Sequence, residues 1–525
     1  MPNIQHPGDF SSPAAAAPLR RRTLIPAALL LLVALLLGFL QPLASDTSVY
    51  LLQTRTLLEQ GNRYLDSHDN KGPLMVGLTA PAVRLLGANA AAAGALRALA
   101  ALGVAALVYR LLRDGGGRSR PFALHLAALA AALPYSAVLW GDSLRPETYA
   151  LLLNAGILWL ATRDVRGATF AAGVLAAGLV FLKSILVLPA AAMMAGWLVL
   201  DLRRNQAVPF AKAVQMAAGA LLAAALILGW LARNDSLPGF VRQTLEWPAE
   251  YRQTVELTDL DGPSKWTARL LALYKASDDP GRLWLYPVKV PITVLRSGVW
   301  PLFLLAGWLA WKRRNPKDRL AVLSLFWLFG VLLELGLEHR RWPYPAAGLL
   351  PPLLLWITLA PLAGRRETAR LLAVWIASSL LLGGLVFEAA RLLPLRLRGR
   401  PAAPYEALAR EMKARYQPGE SLLVLDNNYA LHLLLPAPRP PQILPVHAAM
   451  VSPAERESLR REIEAAPPTW IASKDPAHAG MHFDGVCPAP VRVEERNREL
   501  WLGGPYSTLV EAQTAWARRL DEAAP

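Results

Sequence analysis

Apolar runs as long as a bilayer is thick recur along this chain, and short basic clusters separate them. The first, TLIPAALLLLVALLLGFL (23–40), follows Arg20, Arg21 and Arg22 directly. Its length matches the roughly 20 residues that a helix needs to cross about 30 Å of hydrocarbon. It exceeds the usual apolar region of a cleaved leader, so it reads as an uncleaved anchor entering from the cytoplasm. Composition agrees: 54% of the 525 residues are apolar and only 18% are charged, a mix foreign to soluble enzymes.

The Lys and Arg residues test the topology, because cytoplasmic loops carry the positive charge. The clusters RLLRDGGGRSR (110–120), RDVRG (163–167), DLRRNQ (201–206), KRRNPKDR (312–319) and GRRETAR (364–370) fall on one side if KGPLMVGLTAPAVRLLG (71–87) is left out of the count. That Pro/Gly-broken segment is then expected to lie along the outer interface as an amphipathic helix. About eleven spans result. Their approximate limits are 23–41, 91–112, 121–140, 147–162, 168–182, 184–200, 211–232, 290–311, 320–337, 345–363 and 371–388.

An odd number of spans places the segment after about residue 390 on the outer side. The expected organisation is a cytoplasmic tail (1–22), a helical membrane domain (23–389) with outer loops at 42–90, 141–147, 233–289 and 338–345, and a small outer α/β domain (390–525). Within that domain YEALAREMKARY predicts an amphipathic helix, and SLLVLDNNY and PTWIAS predict short buried strands. WLGG and EAQTAWARRLDEA add further regular elements.

Several classes are excluded or weakened. Cys487 is the only cysteine, so neither a disulfide framework nor a zinc-type cluster exists. The formal charge of +16 sits in inter-span clusters without any aromatic-basic nucleic-acid motif, so membrane topology accounts for it and nucleic acid is not expected as a partner. No internal repeat is evident, and the polar residues gather at outer span ends rather than at the bilayer midplane, both of which weigh against a transporter or flippase.

The most polar stretch of the first half, SDTSVYLLQTRTLLEQGNRYLDSHDNKGPL (45–74), follows the first span. Asp46 stands just beyond the bilayer core, and TSVYLLQTRTLLEQG has the spacing of an interfacial helix. Two readings of Asp46 follow, a helix N-cap or a reactive carboxylate. Glu147 and Lys183 lie at span ends, where they either snorkel to the interface or serve a function. Arg340 and Arg341 on an outer loop run against the positive-inside bias, and lipid headgroups or a substrate would explain them. His68 and Asp69 with Asp46 have no convincing further ligand, so no metal is assigned, although a divalent ion on oxygen ligands is compatible with the stretch. The outer connection 233–289 carries Arg242, Trp247, Tyr251, Arg252, Lys265, Trp266, Arg269, Tyr274, Trp284 and Tyr286, as a membrane-lying lid would.

Taken in order, 45–74, GDSLRPETYALLL (141–153), GLVFLKSILVLPAA (178–191) and HRRWPYPAAGLLPPLLL (339–355) resemble the GT-C glycosyltransferases. The nearest likeness is to the polyprenyl-phosphate-sugar users, the lipid A aminoarabinose transferases and the protein O-mannosyltransferases. The resemblance spans nearly the whole chain and implies the GT-C fold with its outer cap. Asp46 matches the family's first-loop acid, a catalytic base or substrate-orienting carboxylate, and Lys71 matches the lysine that meets the carrier phosphate. Glu147 falls where relatives place an acid in the second outer loop, with Asp142 and Arg145 beside it. Lys183 matches the lysine ending the fifth span, and Arg340, Arg341 and Tyr344 match a basic-aromatic stretch before a Pro-rich span.

The resemblance thus implies Asp46, Glu147 and Asp142 as catalytic candidates. Tyr50, Tyr64, Asp69, Lys71, Arg145, Lys183, Arg340, Arg341 and Tyr344 are the substrate-binding candidates. Two departures stand out: Asp46-Thr47 where many relatives have Asp-Glu, and K-G-P at Lys71 where K-P-P is common.

The chemistry is intelligible by itself. A sugar on a lipid phosphate already has a good leaving group, whereas an acceptor hydroxyl benefits from a base. Fixed cations stabilise charge moving onto the departing phosphate. The expectation is an inverting transferase that requires no cofactor and sits in a bacterial inner membrane. Its donor is a polyprenyl-phosphate sugar, and its acceptor is lipid A or lipopolysaccharide, a polysaccharide or a protein. A transporter or a catalytically inert assembly partner is the alternative.

Overall fold

The computed structural model describes residues 17–43, 45–60, 72–115, 120–132, 144–163, 165–205, 209–241, 319–337, 348–359, 385–401 and 403–414, with short pieces at 417, 420, 422–424, 429–435, 470–473 and 516–519 and single positions at 135, 244 and 461. Helices dominate. Those in the first half are α1 (Ala17–Leu40), α2 (Ser45–Gln60), α3 (Pro73–Leu86), α4 (Ala90–Arg110), α5 (Arg120–Ala132), α6 (Pro146–Ala161), α7 (Ala168–Leu182), α8 (Val187–Asn205), α9 (Phe210–Arg233) and α10 (Leu237–Val241). Then come α11 (Arg319–Leu337), α12 (Leu350–Leu359), α13 over 385–397, α14 (Pro404–Lys413) and α15 (Ala430–Leu434).

Among the described residues four helices are long and apolar enough to cross a bilayer: Ala90–Asp114, Ser184–Arg204, Phe210–Arg233 and Arg319–Leu337. Shorter apolar helices accompany them at Ala27–Leu40, Phe122–Ala132 and Ala168–Leu182. The chain is a multi-pass membrane protein. On α9 the apolar side chains turn outward, with Phe210 72%, Leu221 69% and Leu226 66% exposed, as a lipid-facing helix requires. The expected spans fall on α1, α4, α6, α7, α8, α9 and α11 within a few residues, while α5 and α12 occupy parts of theirs. The span expected at 290–311 and most of that at 371–388 lie outside the described residues.

A large apolar core joins α3 through α8 with α11 and α12, around the fully buried Trp327 and Trp356. Small residues let the helices approach closely at a second cluster, where Ala34, Ala101, Ala128, Ala131 and Ala132 bring α1, α4 and α5 together with Leu385, Ala389 and Leu392 of α13. One end of the bundle is tied by Asp201, whose Oδ2 accepts from Lys212 Nζ at 2.5 Å and whose Oδ1 lies 3.6 Å from Arg319 Nη2. Arg163 pairs with Asp114 at the same end.

Three elements depart from the sequence expectation. The first is α2, which shows no polar face over its first three turns: every residue from Thr47 to Thr54 is buried. The tail covers one side, where Tyr429 packs on Val49 and Leu52 and Ala430 on the cluster of Leu43 and Leu51, while Tyr50 joins the main core. Next, α13 runs to residue 397, past the expected span end at 388, and Arg396 Nε donates to the Leu40 carbonyl at 3.0 Å while its guanidinium holds Glu406 at 2.9 and 3.0 Å. Lastly, α3 does bury one face through Met75, Val76, Thr79 and Val83, yet its outward residues, Leu85 and Leu86 among them, are largely apolar rather than polar.

In the tail, α14 covers most of the predicted amphipathic helix. Strands form at Leu422–Val424 (β1), Trp470–Ser473 (β2) and Trp516–Arg519 (β3). They make a mixed sheet in the order β1-β2-β3, parallel between β1 and β2 with Leu422 opposite Trp470, antiparallel between β2 and β3 with Ile471 opposite Arg518.

Candidate active site

Two charged pairs form at the end of the bundle opposite Asp201, and local sequence explains how each side chain is aimed. The residue before a proline is pushed into extended backbone. Arg145, before Pro146, accordingly has φ −136° and ψ 157° and forms the N-cap of α6. Pro146 starts the helix with its preset φ, and Glu147 follows in the first turn, where the helix dipole favours an acid. Extended backbone at Arg145 and helical backbone at Glu147 send the two side chains to different neighbours.

Arg145 reaches α2, placing Nε 3.3 Å from Asp46 Oδ2. The guanidinium side chain is 10% exposed and the carboxylate 41% exposed, so the acid keeps a face toward the outside. Since α2 begins at Ser45, Asp46 lies within the first turn and engages Arg145 rather than serving as the cap. Thr47 beside it accepts the Leu144 backbone N–H on Oγ1 at 2.7 Å. The residue standing where relatives carry a second acid thus fastens α2 to the α6 corner.

Glu147 turns the other way. Its Oε1 accepts from Lys183 Nζ at 2.9 Å, with the carboxylate side chain 10% and the lysine 15% exposed. The two do not snorkel; they pair in the interior. Lys183 is the C-cap of α7, extended at φ −167°, and breaks the chain between α7 and the 3₁₀ turn Ser184–Leu186 that leads into α8. A cation suits this position because the α7 carbonyl end is partially negative.

Gly72 completes the corner from α3. Its N–H donates to the Leu182 carbonyl at 2.9 Å, and a Cβ added there would fall on the Phe181 carbonyl group. The glycine of K-G-P is therefore a requirement of this packing: proline would lack both the space and the donor. The start of α2 is held in turn by α1, whose last carbonyls are bound by cations. Arg97 donates to Gly38 O at 2.6 Å and to Gln41 Oε1 at 2.7 Å, and Arg396 binds Leu40 O.

Of the sequence candidates, the structure brings together Asp46 with Arg145 and Glu147 with Lys183. Tyr50 is buried in the core beside Met75, 1% exposed. Asp142, Tyr64, Asp69, Lys71, Arg340, Arg341 and Tyr344 lie outside the described residues, as does His68. Among the described residues no three of His, Cys, Asp and Glu converge as metal ligands.

Sequence reasoning missed Thr47, Gly72 and Glu334. Glu334 is 4% exposed on the apolar helix α11. The Cβ position of Gly330, one turn earlier, abuts Pro189, while that of Gly196 abuts the Phe326 ring, so α11 and α8 run antiparallel. Four residues at 1.5 Å rise place Glu334 about 6 Å farther along, toward the level of Ser184 and Lys183. An acid inside an apolar span was the available signal.

No family model matches the sequence, and no curated protein matches it. Solved structures share the fold. Crystal structures of ArnT from Cupriavidus metallidurans, one bound to undecaprenyl phosphate and one in the apo state, each superpose on 98% of this chain and 100% of their own. The TM-scores are 0.55 and 0.56, at 14% identity in both cases. The GT-C resemblance read from the sequence is thereby a likeness of fold over the whole molecule.

Proposed function

We propose that this protein is an inverting GT-C glycosyltransferase that moves a sugar from a polyprenyl-phosphate carrier to an envelope acceptor at the outer face of a bacterial inner membrane. The observation that carries the reading is the pairing of a half-exposed carboxylate, Asp46, with the shielded Arg145, whose neighbour in sequence Glu147 pairs with Lys183, at one end of an ArnT-like bundle. The ArnT neighbour bound to undecaprenyl phosphate supports a carrier of that chemistry.

In this reading Asp46, positioned by Arg145, takes the proton of the acceptor hydroxyl as its oxygen attacks the anomeric carbon. The bond from that carbon to the phosphate oxygen breaks on the opposite face, so the anomeric configuration inverts. Charge moves onto the leaving polyprenyl phosphate, where Lys183, Lys71, Arg340 and Arg341 receive it. A phosphate leaving group needs no strong acid, so the mechanism invokes neither cofactor nor metal. The span count of eleven, the cytoplasmic tail 1–22 and an outer α/β domain over 390–525 belong to the same proposal. Lipid A or lipopolysaccharide, a polysaccharide and a protein are the acceptor classes that fit.

The test uses the purified full chain in lipid nanodiscs with a panel of radiolabelled polyprenyl-phosphate sugars and an envelope extract, following free polyprenyl phosphate. Wild type is expected to release it, and Asp46→Asn to lose about 10²- to 10⁴-fold in rate while still binding carrier. Absence of carrier binding and consumption in wild type would sink the reading and turn attention to transport. Carrier binding without transfer in any condition would point to an inert assembly partner.

A further inference from the structure

Glu147 and Lys183 balance each other's charge before any ligand arrives. The ammonium donates to Oε1 at 2.9 Å, and both side chains are largely shielded from solvent. An anion approaching this corner interacts with both charges, and by Coulomb's law the effect of Glu147 scales with the charge that the anion carries. On the reading proposed above, two such anions visit the site. The donor is a phosphodiester between sugar and polyprenol, with one negative charge. The product is a phosphomonoester, whose second ionisation near pH 6 gives it a charge of about −1.5 to −2 at neutral pH.

We propose that Glu147 is a specificity-determining residue that discriminates against the phosphomonoester product relative to the phosphodiester donor at the Lys183 position. This rests on the polyprenyl-phosphate transferase reading and deepens it. Lys183 alone would hold the product more tightly than the donor, since the product carries more charge. That order obstructs turnover. Glu147 repels the second charge as it repels the first, so its presence weakens product binding about twice as much, in free-energy terms, as donor binding. The lysine still donates to the leaving oxygen, while the carboxylate limits how long the product stays.

Removing the charge of Glu147 therefore raises the ratio of monoester to diester affinity, and keeping the charge with a shorter side chain does not. The experiment measures binding of a polyprenyl monophosphate and of its monomethyl phosphodiester to the full chain in zwitterionic nanodiscs at pH 7.5, with melting temperature as the check on folding. In Glu147→Gln the monoester/diester affinity ratio is expected to rise about tenfold, whereas Glu147→Asp stays within about twofold of wild type.

The double variant Glu147→Gln/Lys183→Met strands no buried charge and serves if the single variant fails to fold. It is expected to bind both probes more weakly than Glu147→Gln while its ratio stays within about twofold of wild type, because cation and carboxylate are removed together. A ratio unmoved in folded Glu147→Gln, or one that falls about tenfold below wild type in the double variant, overturns the role of Glu147 and leaves the transferase reading intact. Wild type that binds neither phosphate overturns the transferase reading, and this inference falls with it.

Discussion

Glu147 and Lys183 stand thirty-six positions apart in the chain and 2.9 Å apart in space. The first opens α6 and the second closes α7, so two neighbouring antiparallel helices place a first-turn acid against a last-turn cation. Each charge offsets the other's helix end as well as its partner. Because both are shielded, the pair is costly to break one side at a time.

Lys183→Met removes the partner of a buried carboxylate, and the loss is expected to be about 3–5 kcal/mol of stability. Chemical denaturation in detergent checks the value. Glu147→Gln with Lys183→Met replaces the pair by neutral groups and should return stability to within about 1–2 kcal/mol of wild type. A double variant no more stable than Lys183→Met would mean that the two side chains are not coupled.

Thr47→Val keeps the side-chain shape and deletes the acceptor of the Leu144 N–H, which sits at a residue with no exposure. A stranded buried donor costs about 1–3 kcal/mol. Loosening of the α6 corner shifts Arg145 relative to Asp46, and transfer is expected to fall roughly ten- to a hundredfold. Thr47→Glu, which restores the acid of the family pattern, would bury a carboxylate at a 1% exposed position and is expected to lower activity rather than raise it. Steady-state rates on the two variants decide this.

Gly72→Ala and Gly72→Pro test the contact with the end of α7. Alanine drives a Cβ into the Phe181 carbonyl, and proline also removes the N–H that donates to Leu182 O. Both should lower stability, proline more than alanine, by about 1–3 kcal/mol or more, read as a fall in melting temperature. Carrier KM is expected to rise with them, since α3 can no longer seat beside Lys183. Wild-type stability in Gly72→Pro would contradict the observed packing.

The docking of α15 on α2 carries a pH dependence. His432 is fully buried, and burial pushes its imidazole down to about 3, with the nearby Arg55 charge acting in the same direction. Glu59 lies one turn beyond Arg55 on α2 and pairs with it. The docked form thus binds fewer protons than the released form, whose histidine titrates near 6.5. Docking is at full strength above about pH 6.5 and weakens as pH falls, by about 2 kcal/mol at pH 5. Amide hydrogen exchange over 429–435 and α2 should quicken at low pH in wild type, beyond the intrinsic change, and His432→Leu should flatten the profile. Equal protection at pH 5 and 7.5 in wild type would rule out a buried neutral imidazole.

Much of this molecule is written locally. Long apolar runs dictate helices such as α4, α9 and α11 wherever they occur, since hydrocarbon leaves the backbone no other partner than itself. Short-range rules likewise bend the chain at Arg145-Pro146. Their places at span ends left Asp46, Glu147 and Lys183 with two readings each, and the resemblance to the GT-C transferases implied them as site candidates. What tertiary structure alone decided is which of these groups meet. Nothing in 45–60 reveals that tail residues 429–435 cover it, because apolar spacing shows that a face is buried and not what buries it. K-G-P looks like a weakened motif until Gly72 is seen against the Phe181 carbonyl. Glu334 is an anomaly in its span until the α11–α8 packing sets its level. Local sequence determines backbone preference and hydrophobic period, whereas charge pairing and close approach depend on residues that only folding makes neighbours.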